Sequence, residues 1–339
     1  MTAGPTFAEE PSPQVPARPP EITDRPPSEV TELLWRLSDD LDRSSIPPKM
    51  LDRNVLIATW NIRAFGRVTK KWRSGQEDSP KRDLKDLRCI AQIISRFDVV
   101  ALQEVRGDLQ GLRYVLKALG PEWGLILTDV TKGRAGNDER MAFVFDTRRV
   151  RPSGLACELV VPVQSQAKGV NAQALNRQFA RTPYAVSFLS AGRTFILVTL
   201  HVIYGQKSDD RLGELREIAQ WLAGWATEVD EYSQNLIALG DFNIDREGDS
   251  TYQAFTSTGL RPPAGLSAIP RTIFTKPGED TDHFFDQIAW FPDHFSMAFS
   301  GQAGGYDFVP VLQDKMPLTE LSWRLSDHRP LWACFSVRL

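Results

Sequence analysis

No apolar run in the 339 residues approaches the roughly 20 that cross a bilayer, so no membrane partner is expected. Behind Met1 there is neither a basic flank nor an apolar stretch, so no secretory leader is expected. Cysteine is scarce: Cys89, Cys157 and Cys334 are odd in number, far apart and form no CxxC pair. That pattern predicts free thiols in a reducing, cytoplasmic setting, and it excludes a disulfide framework or a thiolate zinc site. A surplus of positive charge is missing as well, since 40 Lys plus Arg face 43 Asp plus Glu, leaving −3. A broadly basic, histone-like binder is thereby excluded, though a local basic patch is not. What remains, 42% hydrophobic and 24% charged residues, is an ordinary globular composition.

Proline is dense only at the start, where the first fifty residues hold ten of the 23. Residues 1–27 are expected to be a disordered or polyproline tail, because proline removes donors and blocks helices. Ser28 stands where an N-cap would, and Val30, Leu33, Leu34, Leu37 and Leu41 follow at helical spacing. This predicts a short amphipathic helix over about 28–41, docked either on the protein's own surface or on a partner protein. Pro47-Pro48 closes the prelude, so residues 1–50 form one unit and residues 51–339 one large domain. In that domain Val55–Trp60, Val99–Leu102, Met141–Phe145, Phe195–Leu200, Leu236–Leu239, Phe284–Trp290 and Leu331–Val337 read as buried strands. Helices are expected from Ser79-Pro80 through Phe97, from Asp108 to Leu119, and from about Ser208 to Val229. Strands and helices alternating in one unit mean a layered α/β (α+β) domain.

The strands end in chemistry. Asn61, Gln103-Glu104, His201 and Gly240-Asp241-Phe242-Asn243 each follow an apolar run, Asp286 lies within one, and Ser326-Asp327-His328 precedes the last. One polar residue after a strand is usually the start of a loop, but a set of only Asn, Asp, Glu and His is a coherent kit. Glu104 and Asp327 are hard oxygen donors, and with the Asn61 amide oxygen they suit Mg²⁺ (or Mn²⁺). His201 and His328 can move protons near neutral pH, and Asp241 and Asn243 can orient a water and a phosphoryl oxygen. With no Cys or Ser nucleophile motif and no GxxxxGK[ST], the kit points to metal-assisted attack of water on phosphorus.

In order, WNI at Trp60, LQEVR at Leu102, LVTLH ending at His201, LGDFN at Leu239, FDQIAW at Phe285 and SDHRPL at Ser326 resemble the exonuclease-endonuclease-phosphatase superfamily. WNIRAFG, SRFDVVALQEVR, GDFN and FARTP around Arg181 are most similar to deoxyribonuclease I-like endonucleases. The resemblance implies a four-layer sandwich of two packed mixed β-sheets flanked by helices. It implies a divalent metal on Glu104 and Asn61 with Asp327 beside it. It pairs His328 with Asp286 and His201 with Glu139 as two acid–base couples. Asp241 and Asn243 would position water and phosphate, Arg181 would contact a phosphate oxygen, and Arg106 would enter the minor groove.

Two departures concern the substrate. Where the resembled enzymes carry a tyrosine two residues before the acid at Glu139, this chain has Asn137, on a polar loop with Lys132 and Arg134. Between Arg63 and Arg88 nine Lys or Arg face four Asp or Glu, net +5. In the middle, Arg67, Lys70, Lys71, Trp72 and Arg73 interleave an aromatic with cations, a pattern suited to a nucleic-acid backbone and a stacked base. The leading expectation is a DNA endonuclease of little sequence specificity, controlled by a protein partner through residues 1–50. The alternatives are a phosphodiesterase or phosphatase of the same fold acting on a lipid or small phosphate ester, and a catalytically silent binding subunit.

Overall fold

The computed structural model describes residues 18–131, 137–159, 179, 181–227, 235–275 and 283–337. The predicted strands form where apolar residues run unbroken, because both faces of each strand are covered. In chain order they are β1 (Asn54–Phe65), β2 (Val99–Arg106), β3 (Trp123–Leu127), β4 (Glu139–Asp146), β5 (Arg151–Glu158) and β6 (Tyr184–Ser190). There follow β7 (Arg193–His201), β8 (Leu236–Asp241), β9 (Asp286–Trp290), β10 (Ala298–Gly305) and β11 (Leu331–Ser336). One sheet runs β10-β11-β1-β2-β4-β3 and the other β5-β6-β7-β8-β9, and each mixes parallel and antiparallel pairs. Along β1 the side chains alternate. Val55 and Ile57 join the cluster shared with Phe188, Leu197 and Leu239 of the second sheet, whereas Leu56, Ala58 and Trp60 face the helices.

Helices cover the two outer faces. On the first sheet lie α1 (Ser28–Arg43), α2 (Leu84–Ile94) and α3 (Gln110–Leu119), and on the second α4 (Asp209–Thr227) and α5 (Ser250–Thr256). The result is the expected four-layer sandwich. The short α6 (Val309–Leu312) and α7 (Leu318–Arg324) lead into the last strand. Among the described residues no helix is long and apolar enough to cross a membrane.

The boundaries differ from expectation in physically readable ways. Helix α1 begins at Ser28 itself, with Pro27 in the cap position and no side-chain cap bond. Its Leu37 and Leu41 join the hydrophobic cluster under α2, and Gln92 of α2 donates to the Leu34 carbonyl at 3.0 Å. Helix α2 begins at Leu84 and not at Pro80, because Asp83 and Asp86 form a reciprocal capping box there. Most of the Pro-rich tail, residues 1–17, lies outside the described residues, as do Lys132, Arg134 and Val229. Cys89, Cys157 and Cys334 are free thiols.

Candidate active site

Topology gathers the kit at one end of the sandwich. β1 and β2 run parallel, as do β7 and β8, so Asn61, Glu104, His201 and Asp241 all arrive at strand C-terminal ends. β4, β9 and β11 run antiparallel to these neighbours, so their beginnings fall at the same end. Those beginnings carry Glu139, Asp286 and the Ser326-Asp327-His328 turn. Local backbone devices aim the side chains. β2 bulges against β4 between Leu102 and Val105, and Glu104 within that bulge has φ +58. A left-handed acid in a bulge is a strained feature that re-aims its carboxylate off the regular pleat. Ahead of Asp241, Gly240 has φ +141, and a Cβ there would sit 2.1 Å from the Leu200 carbonyl oxygen. Only glycine lets β8 approach β7 so closely.

Two imidazoles face one carboxylate oxygen. His201 Nε2 lies 3.7 Å and His328 Nε2 4.0 Å from Asp241 Oδ2. Asp241 is fixed in turn: its Oδ2 accepts from Asn61 Nδ2 and its Oδ1 from the Asn243 amide, each at 2.9 Å. The Asn243 side chain donates to the Val202 carbonyl at 2.7 Å, which holds the turn after β8. Behind His328, Asp286 Oδ2 lies 2.6 Å from Nδ1. Burial would lower the His328 imidazole, but Asp286, Asp241 and Asp327 outweigh it and hold its titration well above the ordinary value. Burial also raises the Asp286 carboxyl. Both shifts favour keeping a proton, so the pair holds one between them.

Behind His201 the carboxylate is shared. Glu139 Oε2 lies 3.3 Å from His201 Nδ1 but accepts from Arg181 Nε at 2.6 Å. Its Oε1 accepts from Asn137 Nδ2 at 2.6 Å, with Arg106 Nη2 at 3.4 Å. Burial would raise the Glu139 carboxyl, yet His201, Arg181 and Arg106 together hold it at about 2.

Asn61, Glu104 and Asp327 fit a hard cation. Asn61 Oδ1 and Asp327 Oδ1 are buried oxygens with no hydrogen-bond donor, the state expected of atoms built for another partner. Ser326 knits the set together: its Oγ donates to the Asn61 carbonyl at 2.5 Å and accepts from the Arg63 and His328 amides at 3.2 and 3.0 Å. Asp241, Asp286 and His328 also bring ligand-type atoms within 4.8 Å of one another. Those atoms are already committed to each other and to Asn61 and Asn243, so the all-oxygen set suits Mg²⁺ better.

The basic stretch is folded back on the protein. Lys71 is paired with Asp78 at 2.7 Å, Arg67 lies 3.4 Å from Asp108, and Arg73 lies 3.7 Å from Glu29. Lys70 is exposed, while Trp72 is half-buried against the core. Arg106 donates to the Asn137 carbonyl at 2.6 Å and so points across the site in this state. Three residues escaped the motif reading. Arg63 places Nη1 3.3 Å from Asp327 Oδ2. Arg82, fully buried, donates to the carbonyls of Arg63, Ala64, Arg324 and Leu325, tying β1 to the turn that carries Asp327. Trp323, and not Trp72, is the half-exposed indole beside the site. Arg63 follows WNI directly and was open to notice; Arg82 and Trp323 carry no local signal.

A "Deoxyribonuclease" from Thioalkalivibrio sp. (strain K90mix) is 26% identical over 301 residues, covering 83% of this chain and 71% of that protein. The mannosyl-6-phosphatase Bt3783 of Bacteroides thetaiotaomicron VPI-5482 shares the fold at a TM-score of 0.51 and 18% identity, over 82% of this chain and 98% of that one. A D. rerio TDP2 humanized by 14 mutations does so at 0.53 and 14%, over 83% and 98%. The model of the Endonuclease/Exonuclease/phosphatase family matches residues 58–328, which takes in the Asn61 strand end, the shared Asp241 oxygen and the His328 turn. The chain is a hydrolase of that family.

Proposed function

We propose that the protein is a divalent-metal-dependent phosphodiesterase, specifically a DNA endonuclease of little sequence specificity. The observation that carries this reading is the convergence of both imidazole Nε2 atoms on Asp241 Oδ2, each imidazole having a carboxylate behind it. The gap between them takes a water on Asp241 and a phosphate between the imidazoles. Asp241 orients the water and receives its proton as the water oxygen bonds phosphorus. The bond from phosphorus to the leaving oxygen then breaks, and an imidazole N–H protonates that oxygen. His328, which its carboxylate neighbours keep protonated, holds such a proton in place. His201 Nε2 and Asn243 face the same phosphate, and Arg181 and Arg106 supply positive charge to its oxygens. Glu104, Asn61 and Asp327 would hold a Mg²⁺ or Mn²⁺ ion, which would supply Lewis-acid polarisation when bound.

DNA is favoured as substrate by the relative named deoxyribonuclease and by Arg67 and Lys70, exposed cations of the basic stretch. The test is cleavage of supercoiled plasmid with Mg²⁺ or Mn²⁺, against EDTA and a His201→Ala protein. Nicked and linear products that vanish in both controls are expected, with the variant slowed about 10²–10⁴-fold. Intact plasmid under every metal condition would overturn the reading.

A further inference from the structure

A cleft of about 490 Å³ opens beside the site, walled by Ala64, Arg67, Lys81, Arg106 and Trp323, with Asp108 at its rim. Two of its walls are already tied to the site: the Ala64 amide donates to Glu104 Oε2 at 2.8 Å, and Arg106 Nη2 lies 3.4 Å from Glu139. Trp323 on α7 is 51% exposed, and the Arg63 guanidinium sits 3.9 Å from its ring centroid. Arg63 in turn faces Asp327, so the indole is linked to the oxygen set through one cation. Four cations line the cleft against one acid. Arg82 is spent on backbone carbonyls and contributes field only. Arg67 is 80% exposed and meets Asp108 at 3.4 Å, an exposed pair that exchanges partners at little cost.

An indole backed by a guanidinium and left half open, with a movable arginine beside it, is a stacking platform with a phosphate clamp. A base can stack on it only after leaving its own stack, and a cleft of this volume admits a nucleotide or two, not a duplex. We propose that the cleft binds an unpaired nucleotide flanking the scissile phosphate, its base on Trp323 and its phosphate on Arg67. This deepens the proposed function and rests on its nucleic-acid substrate.

Binding is read without turnover, in EDTA, by fluorescence anisotropy of a labelled oligothymidylate and of the matching duplex. The wild-type protein is expected to hold the single strand more tightly. Trp323→Leu, which keeps an apolar side chain but no π-face, is expected to weaken single-strand binding about 5- to 150-fold, whereas Trp323→Phe retains most of it. Arg67→Ala is expected to reduce the slope of log affinity against log salt by about 0.7. Thermal melting checks that each variant is folded. Equal binding by the Leu and Phe variants, or preference for the duplex, overturns the proposal. If plasmid is cut while those variants bind alike, the cleft assignment alone falls. If Leu and Phe differ as stated while no plasmid is cut, the cleft stands and the endonuclease reading falls.

Discussion

His328 meets Asp286 at 2.6 Å, and among the described residues that carboxylate hydrogen-bonds no other side chain, whereas His201 meets at 3.3 Å a Glu139 that also serves Arg181, Arg106 and Asn137. Both imidazoles are nearly buried and both face Asp241, so burial and position are alike. What differs is exclusivity. A dedicated carboxylate fixes one ring in one tautomer and one orientation. A shared carboxylate spreads its charge over several groups. Arg181 and Asn137 hold it at 2.6 Å while His201 stands off at 3.3 Å, so one guanidinium can turn to an incoming phosphate while the others still face the carboxylate. In the proposed function the first pair therefore serves as a preset acid, and the second as a junction between an imidazole and the arginines proposed to meet the substrate.

If exclusivity matters, breaking the dedicated pair should hurt most. Asp286→Asn keeps the size of the side chain but offers Nδ1 an amide in place of a carboxylate. Turnover of plasmid is expected to fall about 10³–10⁴-fold, as when a buried carboxylate behind a catalytic histidine is lost. Glu139→Gln leaves Arg181 and Arg106 in place and weakens one of the two carboxylate contacts of the His201 ring, the other being to Asp241. Its turnover is expected to drop about 10–100-fold, the range of a supporting partner. Equal losses in the two variants, measured as kcat on one substrate, would erase the distinction.

How much of this contrast was legible beforehand follows from what sequence encodes. Strands buried on both faces read as apolar runs, so β1, β2, β7, β8 and β11 were visible. Of the four edge strands, β3, β5 and β10 escaped because glycine or polar residues interrupt their runs, whereas the fully buried edge β9 was visible. Interior β6 escaped because Ser187 and Ser190 break its apolar pattern. The site residues at strand ends were legible because their order along the chain is itself a motif. The sharing of Glu139 was not, since Arg181 and Asn137 reach it from loops whose path no periodicity fixes. Trp72 and Trp323 look alike in sequence, each followed by an arginine, Arg73 and Arg324. Only packing decides that the core covers the first and leaves the second open.

A last expected effect separates the pairs by stability. Glu139 titrates at about 2 in the folded protein against an ordinary 4.5, so between those values the unfolded chain binds more protons. Stability from this carboxylate is therefore complete above about pH 4.5 and drains away as pH falls through 2, by up to about 3 kcal/mol. Denaturant unfolding of wild type and Glu139→Gln from pH 6 down to 3 should show the variant losing less over that interval. Asp286→Asn should keep the full acid loss, because burial raises the Asp286 carboxyl and its protonation does not weaken the fold. A flatter acid limb in Asp286→Asn than in Glu139→Gln would mean that Asp286, and not Glu139, is the carboxylate the folded state holds ionised.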